Sequence, residues 1–167
     1  MTIGEKIKNA RNLRGLTQKE LGIKLGFDEK SADVRVAQYE SGTRTPKAEL
    51  LSEIATVLDV NVNSLKNPTL ENTETFIHLL FDLEQESKKH HTNNFSIISV
   101  PDELGNSQPS LQFHNHLLNE FLSEWQLRRK ELSEEIITEE EYEEWMMNFP
   151  ATSDGCGKNE PIKKWRK

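Results

Sequence analysis

The chain has 167 residues, 34% of them hydrophobic and 29% charged, a balance that fits one ordinary globular domain or two small ones. Apolar runs such as residues 95–100 are far shorter than the roughly 20 residues that cross a bilayer, and the N-terminus has no signal-type apolar region; the expectation is a cytoplasmic protein without a membrane partner. A single cysteine, Cys156, excludes an internal disulfide and a cysteine-based zinc site and is expected to face solvent.

The net charge of -7 is unevenly divided. Residues 1–67 hold 11 Lys and Arg against 9 Asp and Glu, whereas the remainder holds 10 against 19. Only the N-terminal part can offer a phosphate-binding face, and its excess is too mild to identify a ligand by itself.

In chain order, Thr2 and Glu5 form a T-x-x-E capping box, and Ile3, Ile7, Ala10 and Leu13 follow at helical spacing as far as Gly15. A second box, Thr17 with Glu20, is stapled by Leu16 and Leu21 and opens a helix that ends at Gly26, a residue suited to a left-handed C-cap. A third helix spans about Ser31 to Tyr39, with Ala32, Val36 and Tyr39 inward and Asp33, Arg35 and Gln38 on the opposite face. Thr45 is predicted to cap a fourth helix with Pro46 at its first position, carrying Leu50, Ile54, Ala55 and Leu58. Residues 60–65 read as a turn into a fifth short helix, and the pattern lapses at Asn67 and Pro68, the candidate linker.

Beyond it, Phe76, Ile77, Leu79, Leu80 and Leu83 mark a helix of about four turns. The β-branched stretch 95–100, the turn-forming residues 101–110 and then 111–114 predict a β-hairpin with a long loop. Leu118, Phe121, Leu122, Trp125 and Leu132 follow as a long amphipathic helix, with Trp125 at core spacing. Thr138 and Glu141 form a third capping box, whose helix carries Tyr142, Trp145, Met146 and Phe149 on one face until Pro150. Residues 151–167 have little to bury and are expected to be a disordered tail. The reading is mainly α: a five-helix domain over 1–67 and a small α+β domain over 73–150 made of a helix, a β-hairpin and two helices.

Taken together, Arg11, the run Leu16-Thr17-Gln18-Lys19-Glu20-Leu21, the run Val36-Ala37-Gln38-Tyr39-Glu40-Ser41-Gly42 and Pro46 resemble the Xre or phage-repressor family of helix-turn-helix transcriptional regulators. The resemblance covers about residues 3–66 and implies a lambda-repressor-like DNA-binding domain whose third helix enters the major groove of double-stranded DNA. It places base contacts at Gln18, Asp33, Val34, Arg35 and Gln38. The amides of Gln18 and Gln38 suit adenine, the Arg35 fork suits guanine, and Val34 suits a thymine methyl. Thr17 and Lys19 at a helix N-terminus, with Arg44 and Lys47 after the third helix, are the expected phosphate contacts. Arg11 and Glu40 are expected to pair with each other as a structural ion pair. Between Gly26 and Gly42 the chain has four residues more than the usual family spacing, which expands the loop 27–30, and Gly22 stands where relatives commonly carry Ala.

The competing function is a protein-interaction regulator, antitoxin-like or an antagonist of another repressor, using the same helices. His90-His91 and His114-Asn115-His116 lack the companions of a metal site, and a self-cleaving repressor's Ser and Lys pair is not apparent, so neither an enzyme nor a cofactor is expected. A single recognition helix covers few base pairs, so a homodimer is expected, its C-terminal domain serving dimerisation and receiving any protein or small-molecule effector.

Overall fold

A computed structural model describes residues 1–66 and 73–165. The elements are α1 (Ile3–Leu13), α2 (Gln18–Lys24), α3 (Ala32–Glu40), α4 (Ala48–Leu58), α5 (Val62–Leu65), α6 (Thr73–Lys89), β1 (Phe95–Pro101), β2 (Ser107–Phe113), α7 (His116–Ser133) and α8 (Glu139–Asn148). The candidate linker at Asn67 and Pro68 lies outside the described residues, as does the end of the tail at Arg166 and Lys167.

Local chemistry sets most helix starts. At Thr2, Thr17 and Thr138 the hydroxyl accepts from the backbone N–H of the Glu three residues on, and that Glu carboxylate reaches back to the Thr N–H. Asn61 caps α5 through its side-chain oxygen. The fourth helix departs from expectation: it begins at Ala48 behind Lys47, with no side-chain cap, and neither Thr45 nor Pro46 starts it. Pro46 is instead buried, because its apolar ring is drawn inward ahead of the helix.

By compactness the described chain forms two units, residues 1–66 with 130–154 and 160–165, and residues 73–129 with 155–159. The first unit has a closed core of Ile7, Ala10, Leu21, Val36, Leu51, Ile54, Ala55, Leu58 and Leu65, drawn from all five N-terminal helices. Burying each large aliphatic side chain there contributes about 1.5–3 kcal/mol.

The same unit contains α8, which the periodicity had grouped with the C-terminal domain. Asn61 N–H donates to the Met147 carbonyl at 2.9 Å, and the Asn61 amide donates to the Phe149 carbonyl at 2.8 Å. Arg14 binds the Leu58 carbonyl at 2.6 Å and pairs with Glu144. Lys163 reaches both Asp59 and Asn148. Residues 151–165, expected to be disordered, are folded: Thr152 donates to the Trp145 carbonyl at 2.7 Å, and Trp165 is buried with Ile137 and Trp145. One indole supplies enough apolar area to hold a segment whose other residues offer little. Cys156 is half-buried and not fully solvent-facing.

In the second unit, β1 and β2 pair antiparallel from Phe95 opposite Phe113 to Pro101 opposite Ser107, so the long loop expected over 101–110 is cut to residues 102–106, where Asp102 accepts from the Leu104 and Asn106 N–H groups and Gly105 has positive φ. Trp125, expected inward, is 46% exposed.

Candidate nucleic-acid interface

α3 is held in place from both sides by small residues and a buried charge. A Cβ at Gly4 would lie 2.5 Å from the carbonyl oxygens of Tyr39 and Glu40, so the start of α1 touches the backbone at the end of α3. A Cβ at Gly22 would lie 2.6 Å from the Ala32 carbonyl oxygen. Glycine therefore lets α2 approach the first turn of α3 this closely, and the Ala that relatives commonly carry there would force the two backbones apart.

Between these contacts sits the ion pair. Arg11 Nε donates to Glu40 Oε1 at 2.6 Å and Nη2 to Oε2 at 3.1 Å, while Nη1 donates to the Leu16 carbonyl at 2.5 Å. Gln18 Nε2 donates to Glu40 Oε2 at 2.9 Å. The Glu40 carboxylate thus joins α1 and the first turn of α2 to the end of α3, and Arg11 ties the turn before α2 into the same cluster. With both charges largely desolvated, this knot fixes the helices' relative position more than it adds net stability.

The outward residues of α3 differ in freedom. Asp33 and Val34 are exposed, Val34 at 52%, whereas Arg35 and Gln38 are half-buried. The Arg35 guanidinium lies 3.8 Å from the ring centroid of Phe27, a residue of the expanded loop. This cation–π contact holds a long side chain that would otherwise sample many rotamers. The Gln38 Oε1 is shielded from solvent without a hydrogen-bond partner among the described residues.

At the N-terminus of α2, Thr17 is exposed and its hydroxyl is engaged with Glu20 at 2.7 Å. Thr17's backbone and side-chain hydrogen bonds hold the Glu20 carboxyl below the usual carboxylate range. Lys19 pairs with Glu29 at 2.9 Å, and that hydrogen bond raises Lys19 above the ordinary lysine value while lowering Glu29. After α3, Arg44 and Lys47 are exposed, Arg44 N–H donates to the Gln38 carbonyl at 3.0 Å, and the Ser41 and Thr43 hydroxyls lie 2.9 Å apart. Phe27, Glu29, Ser41 and Thr43 were not among the sequence candidates. The length of the 27–30 loop was the one available signal for the first two. Among the described residues, no group of three or more His, Cys, Asp or Glu could hold a metal ion, and no helix is long and apolar enough to cross a membrane.

Two short helices, α2 and α3, joined by a turn and braced by α1, α4 and α5, define a helix-turn-helix domain, a class built to lay one helix in a DNA groove. Residues 7–65 match the family model described as Helix-turn-helix and form an Xre-type helix-turn-helix domain. Among solved structures, the crystal structure of the transcriptional regulator BswR is similar, at 31% identity over 53% of this chain and 98% of that one, with a TM-score of 0.39.

Proposed function

We propose that this protein is a sequence-specific DNA-binding transcriptional regulator, acting as a repressor in the bacterial cytoplasm, that binds a two-fold operator as a homodimer with α3 in the major groove. The observation that carries the reading is the outward face of α3, with Asp33 and Val34 exposed at its start, on a helix-turn-helix domain braced by the Arg11–Glu40–Gln18 knot.

The base readers are Asp33, Val34, Arg35 and Gln38, together with Gln18 through the amide oxygen it does not give to Glu40. Shielding the Gln38 Oε1 without a partner costs about 1–3 kcal/mol, so a rotation that offers both ends of the amide to adenine recovers hydrogen bonds the free protein lacks. Phe27 presents the Arg35 fork in a restricted set of orientations, which lowers the entropy lost on contact with guanine. Thr17, Lys19, Arg44 and Lys47 hold phosphates. A phosphate at Lys19 must compete with Glu29, so the expanded loop tempers non-specific attraction. The acidic C-terminal half, which serves dimerisation and receives any effector, repels DNA and helps orient the basic face.

The test begins with selection of bound fragments from the source genome and continues with fluorescence anisotropy on the recovered operator. Arg44→Ala is expected to weaken binding to all sequences alike and to reduce the slope of log affinity against log salt by about 1. Gln38→Ala is expected to cost about 1–3 kcal/mol on the operator and to relax preference at one base pair. Unchanged operator binding in both variants, with loss of a protein partner, would favour the antitoxin-like or antagonist reading and discard this one.

A further inference from the structure

The candidate DNA-contacting cations fall into two groups. Arg44 and Lys47, after α3, are exposed, and no ion pair or ring contact among the described residues holds either of them. Lys19 and Arg35 are both held by the loop between α2 and α3, Lys19 by the Glu29 carboxylate at 2.9 Å and Arg35 by the Phe27 ring, whose centroid lies 3.8 Å from the guanidinium carbon. A free cation suits any phosphate; a held one suits only a ligand that fits the way it is held.

The two grips differ in what they leave available. Glu29 engages the Lys19 ammonium itself, so a phosphate there has to displace a carboxylate. Phe27 covers one flat face of the Arg35 guanidinium, and a guanidinium carries its N–H donors around its edge, in the plane. The donor fork that matches the O6 and N7 acceptors of guanine therefore stays open while Arg35 remains on the ring. The ring is itself fixed. Phe27 packs against the core of the N-terminal unit, and its N–H donates to the Gly22 carbonyl at 3.0 Å. Asp28 closes the loop after it, its carboxylate accepting from the Lys30 N–H at 2.9 Å and its carbonyl from the Ser31 N–H at 2.9 Å. Arg35 N–H in turn donates to the Ser31 carbonyl at 3.0 Å, so the backbones on both sides of the stack are anchored.

We infer that Phe27 is a specificity-determining residue that acts through Arg35: its ring keeps the guanidinium aimed at a guanine edge and off the phosphates. The proposal deepens the reading of a DNA-binding regulator and rests on it. Its physical basis is a difference between two bound states. On the operator the fork meets guanine with the stack intact, so little rotamer freedom is left to lose. On arbitrary DNA the guanidinium has to leave the ring to follow a phosphate, and the lost cation–π contact offsets the electrostatic gain. Phe27 thus raises operator affinity and lowers non-specific affinity together. Arg44 and Lys47 do neither, because a phosphate contact strengthens both kinds of binding alike. Part of the sequence preference is therefore carried by a residue outside α3 that touches no base.

The experiment uses the full chain, the operator recovered by fragment selection and a duplex of unrelated sequence, with affinities read by fluorescence anisotropy over a salt series. Phe27→Leu keeps an apolar side chain against the core and removes the aromatic face. It is expected to weaken operator binding about three- to tenfold, to strengthen binding to the unrelated duplex about two- to fivefold, and to steepen the salt slope on that duplex by about 1. Preference for guanine at the base pair read by Arg35, located by its loss in Arg35→Ala, falls with it. Phe27→Tyr restores the aromatic face and should recover most of the ratio of the two affinities. In an Arg35→Ala chain, Phe27→Leu should change neither affinity. Because Phe27 also packs on the core, relaxation of the Arg35 Nε–H group in the free protein supplies a second measure: its motion should increase in Phe27→Leu and stay restricted in Phe27→Tyr. An unchanged ratio in Phe27→Leu, the same loss in Phe27→Tyr, an effect that persists without Arg35, or an Arg35 Nε–H as rigid in Phe27→Leu as in the wild type would each overturn the proposal. A chain that binds no genomic fragment discards the regulator reading and this proposal with it, whereas firm operator binding with an unchanged ratio discards the proposal alone.

Discussion

The five N-terminal helices and the segment from α6 to α7 are built from similar proportions of large apolar residues and end in opposite states. In the first, apolar stripes on short helices converge on Leu21, Ile54 and Leu58, and the core closes within one chain. In the second, a 17-residue helix, a two-stranded hairpin and part of an 18-residue helix leave their stripes uncovered. An isolated two-stranded hairpin is at best marginally stable in water, and helices owe most of their stability to what they pack against. Apolar composition therefore signals the capacity to build a core; whether the side chains are buried depends on how many elements meet.

Four experiments break or sharpen this contrast. The largest effect is expected from Glu40→Ala, which strands the Arg11 charge between α1 and α3; a loss of about 3–5 kcal/mol in chemical denaturation is expected, and a loss under 1 would remove the knot from the account. Next, Leu58→Ala should cost about 2–5 kcal/mol, whereas Leu83→Ala, at a position 37% exposed, should cost well under half as much. Thermal melts of the two variants separate them, and equal losses would erase the distinction between the units. Gly22→Ala is expected to cost about 1–3 kcal/mol, because its methyl meets the Ala32 backbone and forces α2 from α3; neutral stability would mean that the crossing relaxes freely.

The smallest effect concerns the cap at Thr17. Glu20 is held below the usual carboxylate range, so its contribution is fully present above the unfolded-state value and is lost as pH falls through the lowered folded value. Glu20→Gln removes that dependence. The melting-temperature gap between wild type and variant should shrink on acidification below the ordinary carboxylate range, and a constant gap would count against a charged cap.

How much was legible follows from the range of the interactions concerned. The three Thr-x-x-Glu boxes and the five-helix order are written in neighbours a few residues apart, and they appear in the structure at those places; the hairpin appears too, with a shorter turn than its polar residues suggested. Thr45 misled because Pro46 had two uses, helix opening or core filling, and only the surrounding packing chose between them. In the site, the meeting of Arg11 with Glu40 followed from family likeness, but the donation from Gln18 to the same carboxylate, Phe27 under Arg35, and Glu29 on Lys19 did not. Each depends on where an expanded loop or a neighbouring helix places one side chain, and no periodicity records that.

From its sequence alone, then, this protein's helices, most of their ends and the class of its N-terminal domain were readable, because capping hydrogen bonds and the 3.6-residue stripe act within a few turns of chain. Tertiary structure alone assigned α8 and the Trp165 segment to the N-terminal unit, set Gly22 against the Ala32 backbone, and left the apolar residues of α6 exposed. Those outcomes turn on close approach and solvent exclusion between residues far apart in the chain, which a one-dimensional pattern cannot rank.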